Sequence, residues 1–213
     1  MQRRRKPKQG NALRRQKRKY EPYDRVLIIC EGEKTEPGYF QELCEHYRLS
    51  TANIKVMPSD GSDPMSVVKN AKKSQKQEEK RGEKYDRIYC VFDRDEHTNF
   101  NDALNNIKQK ELNSAISYPC FEYWVLLHFI YCRSPFERTQ NKTAAQQCES
   151  VLRKELPDYQ KGMKGLFKNL YYRVEVAKKN AEKSLRDAEK TGDKNPSTEV
   201  HKLVTYLQTL KNK

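Results

Sequence analysis

The sequence predicts an α/β fold: a parallel sheet of about four strands flanked by helices, followed by an α-helical C-terminal extension. Three observations carry this. Apolar runs of strand length without polar alternation, such as Val26-Leu27-Ile28-Ile29-Cys30 and Ile88-Tyr89-Cys90-Val91-Phe92, are what a strand covered on both faces looks like. Stretches of helical period lie between the runs, and strand, helix, strand, helix in repeat is the order of a parallel sheet. Both runs also end in carboxylates, Glu31-Gly32-Glu33 after one and Asp93-Arg94-Asp95-Glu96 after the other. Right-handed crossovers bring such strand ends to one edge, beyond which open sheets hold their ligands.

The chain opens on a basic tail, predicted over residues 1–20. Residues 1–19 contain ten bases and no acid, and lack any apolar periodicity, so the tail is expected to be disordered. The rest holds 33 bases against 29 acids, a balance of +4 compared with +14 for all 213 residues. The globular part is therefore only mildly basic. For the tail, phosphate binding without sequence preference and a merely solubilising leader both stay open.

After the first strand, Thr35-Glu36-Pro37-Gly38-Tyr39-Phe40 opens a helix, with Thr35 as its expected N-cap and Tyr39, Phe40, Leu43 and Tyr47 on one face. Asn53 to Met57 is a second strand, closed by Pro58. The polar loop Ser59 to Pro64 leads into a helix with Met65, Val67, Val68 and Ala71 inward and a charged end over Gln75 to Lys84. The third strand ends at Phe92. A helix from Asn99 to Lys110 turns Phe100, Ala103, Leu104 and Ile107 inward, and Ser114 to Ser117 is a brief fourth strand. Pro119 to Tyr131 reads as a buried apolar helix carrying the only tryptophan, Trp124. These elements form a domain over 21–133.

From 134 to 213 no further strand signal is evident. Helices are expected at Ala144 to Leu156 and Leu170 to Lys190, and a last one opened by Asn195-Pro196-Ser197-Thr198 with the stripe Val200, Leu203, Val204, Leu207 and Leu210. This region should pack on the sheet or beside it. The six cysteines include no CxxC pair; they read as reduced core thiols, which speaks against a structural zinc site. The longest apolar stretch, Phe121 to Tyr131, is too short to span a bilayer and contains Glu122 and His128, and the amino terminus lacks a signal-peptide core. A soluble, cytoplasmic protein without a membrane partner is expected.

The acids point to a metal site. Asp93 and Asp95 are two apart in an extended chain, so both side chains can reach one ion while Arg94 points elsewhere. Glu31 can be a third ligand, and Gly32 leaves room for a phosphate or backbone to approach. Hard oxygen ligands without thiolate or imidazole select Mg2+ or Mn2+, which bridge carboxylates to substrate phosphates. A phosphodiester substrate and phosphoryl transfer follow, the metal lowering the pKa of the attacking water or hydroxyl. The competing explanation is that these acids only cap helices, worth about 0.3–1 kcal/mol each. Caps account for one acid at each place, whereas clustered carboxylates repel unless a cation neutralises them.

Glu31-Gly32 and Asp93-Arg94-Asp95 together resemble the Toprim signature. The longer set Cys30-Glu31-Gly32-Glu33-Lys34-Thr35-Glu36 with Tyr39-Phe40, Val91 to Asp95, Ser117-Tyr118-Pro119-Cys120-Phe121-Glu122-Tyr123-Trp124 with His128-Phe129, and Asn195 to Thr198 resembles the RloB family, from about Arg25 to the carboxy terminus. The resemblance implies a Toprim-like (Rossmann-like) fold and a metal-dependent nuclease of prokaryotic antiviral defence that works with an ATPase partner. It makes Glu31 the Toprim glutamate, and Asp93 and Asp95 the metal-binding pair. Glu122, a carboxylate on an otherwise apolar helix, is costly to bury unless paired or metal-bound. It is expected as a second-metal ligand or water-orienting group, with an ion pair to a helical lysine as the alternative. The catalytic set is thus Glu31, Asp93, Asp95 and Glu122. His128 is expected as a hydrogen-bonded core histidine, and Lys161 as a phosphate-stabilising group. No GxxxxGK[ST] loop is present, so ATP chemistry falls to the partner. RNA, tRNA included, and DNA both stay open as substrate. Nucleotidyl transfer, a catalytically silent nucleic-acid-binding or sensor role, and homo-oligomerisation stay open as well.

Overall fold

A computed structural model of the protein describes residues 24–94 and 99–211. The predicted basic tail, residues 1–20, and Asp95 lie outside the described residues. The elements alternate as expected: β1 (Val26–Cys30), α1 (Thr35–His46), β2 (Ile54–Pro58), α2 (Pro64–Lys80), β3 (Arg87–Asp93), α3 (Phe100–Gln109) and β4 (Asn113–Tyr118). They are followed by α4 (Phe121–Leu126), α5 (Ala144–Glu155), α6 (Leu166–Leu170), a 3-10 turn (Tyr171–Arg173), α7 (Val174–Thr191), β5 (Ser197–Thr198) and α8 (Val200–Leu210).

The sheet order is β2-β1-β3-β4-β5, with β1 to β4 parallel and β5 antiparallel to β4. The sheet thus has five strands where about four were predicted. The fifth lies where the sequence indicates only a helix start, because its two residues are polar and give no apolar run. They are held instead by polar bonds: Ser117 Oγ pairs with Thr198 Oγ1 at 2.9 Å, and the Glu199 N–H donates to the Ile116 carbonyl at 2.8 Å.

Period two along the strands gives each face its own core. Val26, Ile28, Cys30, Tyr89 and Val91 pack with α1, α4 and the helices after residue 134. Leu27, Ile29, Ile88, Cys90 and Phe92 pack on α2 and α3. The stripe of α8 is fully used: Val200, Leu203, Val204, Leu207 and Leu210 are all buried in the first of these cores. All six cysteines are free thiols and five are buried. Among the described residues, no helix is long and apolar enough to cross a membrane.

Three helix boundaries differ from expectation. The helix predicted over Pro119 to Tyr131 stops at Leu126. The backbone tightens there, with the N–H groups of His128 and Phe129 bonding to Val125 and Leu126 carbonyls, and the His128 ring Nδ1 faces the Trp124 and Val125 carbonyls at 3.0 and 3.2 Å. The segment predicted as one helix from Leu170 is broken by the 3-10 turn, and α7 starts at Val174. Thr35 does not cap α1; its hydroxyl accepts the Gly162 N–H at 2.9 Å, from a segment 127 residues away. By contrast α2 starts on Asp63, whose carboxylate accepts the N–H groups of Met65 and Ser66, with Pro64 as the first helical residue.

Candidate functional site

Alternation along β3 divides its end between two sides. Val91 faces the α1 side and Phe92 the α2–α3 side, so Asp93 returns to the first and Arg94 to the second. Asp93 lines a cavity of about 490 Å³ at the carboxyl edge of the sheet. The Arg94 guanidinium lies 4.3 Å from the Phe100 ring centre, away from the acids it interrupts in sequence.

β1 and β3 are parallel neighbours, with Cys30 opposite Val91, so two of the expected ligands meet as the sequence requires. The Glu31 carboxylate accepts the Asp93 backbone N–H at 3.1 Å, and the Glu31 N–H donates to the Val91 carbonyl at 2.9 Å. The Phe121 N–H at the start of α4 works to lower the Asp93 carboxyl, against the larger effects that raise it. Four further carboxylates line the same cavity: Glu31, Glu36 and Glu122, and the exposed Glu33.

Glu36 is the residue that sequence reasoning missed. It is 7% exposed, and the room left by Gly32 is filled by its carboxylate, since a Cβ on Gly32 would stand 2.1 Å from Glu36 Oε2. The expectation that Gly32 clears space for a phosphate or backbone is corrected accordingly. The signal was available: Glu36 precedes Tyr39, Phe40 and Leu43 by three, four and seven residues, which puts it on their inward face. Glu33, two residues after Glu31, also lines the cavity but is exposed.

Glu122 sits in the first turn of α4, 3% exposed. Its carboxylate accepts the Tyr159 hydroxyl at 2.8 Å and lies 3.6 Å from Lys161 Nζ. The ion pair weighed for Glu122 thus exists, though its lysine is on the segment between α5 and α6 and not on a helix. That segment is pinned over α1: Gly162 takes a left-handed φ of +75° where its Cβ would be 2.9 Å from Lys34 Cβ, and the Glu42 carboxylate accepts the N–H groups of Gly165 and Phe167. In the sequence Tyr159 belongs to Tyr159-Gln160-Lys161, a stretch similar to the RloB family, but only Lys161 carries an expected role there.

The charge arrangement is costly as it stands. Burial first, then the Glu36, Glu122 and Glu31 carboxylates, push Asp93 well above the usual carboxylate range. Burial, with Glu122 and Glu31, raises Glu36 to about 7. Burial works to lower Lys161, but Glu122 and the other anions around it leave the ammonium above its ordinary value. Burial and Glu122 raise the Tyr159 hydroxyl, so it stays a donor. His128 is excluded from this chemistry: it is fully buried, pushed down to about 4 by burial, and placed in the aromatic core against Trp124.

The donor set facing the cavity is all carboxylate, which suits a hard divalent cation. Among the described residues, however, no three His, Cys, Asp or Glu side chains stand together as ready-made ligands. Glu31 is turned to the Asp93 N–H and Glu122 to Tyr159, so an ion would compete with those bonds. The family model described as RloB-like protein matches residues 26–207. The chain belongs to the RloB-like family. In this RloB-like chain the matched stretch contains Glu31, Glu36, Asp93, Glu122, Tyr159 and Lys161, and it leaves out the basic tail. No curated protein and no solved structure matches the chain.

Proposed function

We propose that this RloB-like protein is a Mg2+- or Mn2+-dependent nuclease of the Toprim type, the nucleic-acid-cutting effector of an antiviral defence system with an ATPase partner. The observation that carries the reading is the convergence of Glu31, Glu36, Asp93 and Glu122 on one cavity at the carboxyl edge of a parallel sheet. Four carboxylates gathered at one cavity, with Asp93 and Glu36 held above the usual carboxylate range, are poorly explained by packing, and a bound cation relieves the repulsion.

Glu31 and Asp93, with Asp95 from the sequence motif, would hold an ion, and Glu36 and Glu122 would hold a second. Such ions neutralise charge on a phosphodiester and lower the pKa of an attacking water. The chain's own groups do the rest. Tyr159 fixes the Glu122 carboxylate, and Lys161, its side chain 60% exposed at the cavity, is free to turn its ammonium from Glu122 to a phosphate oxygen. Gly32 and Gly162 keep the walls narrow around these groups.

A second reading, a nucleic-acid-binding or sensor subunit whose site is silent, draws on the lack of a ready-made three-ligand group among the described residues. Incubation of the purified protein with Mn2+ and a panel of tRNA, messenger RNA, and single- and double-stranded DNA, with and without the neighbouring ATPase, separates the two. Cleavage by wild type that Asp93→Ala abolishes supports the nuclease. Nucleic acid bound but uncut in every arm favours the silent subunit.

A further inference from the structure

A second cavity, of about 550 Å³, opens at the same edge of the sheet. Its walls include Arg94, Tyr118, Pro119, Phe136, Ala144 and Asn195. It begins one residue beyond the carboxylate of β3 and its partner on β4: Asp93 and Ser117 are register partners, and Arg94 and Tyr118 follow them. The volume falls in the roughly 300–1,000 Å³ range of sites built for small organic groups. One wall is fixed in advance, because the Asn195 carboxamide accepts the Phe136 N–H at 3.2 Å and donates to the Phe136 carbonyl at 2.8 Å.

Arg94 gives the cavity its chemistry. Its guanidinium lies between two rings, 4.3 Å from the centre of Phe100 and 5.8 Å from that of Tyr118, and it makes no ion pair with any described residue. A ring-stacked cation with no ion-pair partner among the described residues, beside an aromatic and proline wall, suits a group that is flat at one end and anionic at the other. Glu137, Arg138 and Asp193, all exposed, also line the cavity; two acids to one base give that side a net negative formal charge and leave the Arg94 end for phosphate.

We propose that this cavity binds the nucleotide next to the scissile phosphate, with its base against Tyr118 and the Phe136 wall and its phosphate on Arg94. The word scissile rests on the nuclease reading; the nucleotide site itself does not. Base stacking on an aromatic side chain is tolerant of sequence, so the site would seat a strand beside the carboxylates without dictating which base is cut.

The test is binding in EDTA, where no metal chemistry contributes. AMP, GMP, CMP and UMP are titrated into the full chain and followed by NMR or calorimetry, with ribose 5-phosphate as the probe lacking a base. The site predicts that the nucleotides bind at least about fivefold tighter than ribose 5-phosphate, that Tyr118→Leu erases most of that difference while Tyr118→Phe keeps it, and that Arg94→Gln weakens the nucleotides and ribose 5-phosphate alike. Equal binding of ribose 5-phosphate, or nucleotide binding indifferent to both Tyr118→Leu and Arg94→Gln in folded protein, overturns the proposal. Cleavage by wild type in Mn2+ without nucleotide binding would sink this site alone. Base-dependent binding without any cleavage would leave it standing and sink the nuclease.

Discussion

Gly32 and Glu36 are fitted to each other so closely that a Cβ on the first would stand 2.1 Å from Oε2 of the second. The obstacle is the end of a flexible side chain beside a cavity, so Gly32→Ala displaces the carboxylate without breaking the sheet. A stability loss of about 1 kcal/mol, or about 2–4 °C at this chain length, is expected. Metal-dependent cleavage should fall at least tenfold. Thermal melts paired with cleavage assays check this, and full activity in the variant would remove Glu36 from the site.

The acid cluster makes stability depend on pH in a defined direction. Glu36 is raised from an ordinary 4.5 to about 7, and Asp93 is raised as well. Between those values the folded state holds a proton that the unfolded chain has lost, so stability contributed by the protonated form is present at low pH and lost as pH rises through about 7. The loss from Glu36 is up to about 3 kcal/mol. Denaturant titrations in EDTA at pH 5 and pH 8 should show the decline, Glu36→Gln should flatten it, and added Mg2+ should reverse it at pH 8.

Asp93→Asn keeps the shape of a side chain that burial and three carboxylates disfavour as an anion. In EDTA at pH 8 the variant should be as stable as wild type or more so, by about 0.5–2 kcal/mol, while losing the stabilisation that Mg2+ gives wild type. Calorimetric melts with and without metal read both effects at once.

Tyr159 and Lys161 touch the same Glu122 oxygen but should fail differently. Removing the buried hydroxyl in Tyr159→Phe leaves an internal carboxylate short of a donor, at about 1–3 kcal/mol. Lys161, mostly solvent-exposed and 3.6 Å away, contributes about 0–1 kcal/mol; Lys161→Ala should leave the melt nearly unchanged and weaken cleavage. Equal destabilisation by both would make Lys161 structural.

The layers of this fold were legible because uninterrupted apolar runs and helical stripes answer to burial alone. Residues 26 to 30 and 88 to 92 could be little else than inner strands. What escaped was held by polar bonds between distant segments. Ser197 and Thr198 carry no apolar signature, yet pair with β4 through Ser117; Thr35 has the chemistry of a cap but serves Gly162. At the site, Glu31, Asp93 and Glu122 were readable as acids where strands and an apolar helix end. Glu36 stood on a readable face but lies within a helix, away from the strand ends that mark Glu31 and Asp93. Tyr159 could be found only once the segment before α6 was seen folded over α1.

The central claim, that these carboxylates hold a divalent cation, is tested most directly by titrating the full chain with Mn2+ and following the free ion by electron paramagnetic resonance. Wild type should remove Mn2+ from solution, with Mg2+ competing, and Asp93→Asn should weaken the binding at least tenfold while the fold persists. Mn2+ left free in the presence of wild-type protein, or bound equally by Asp93→Asn, would contradict it.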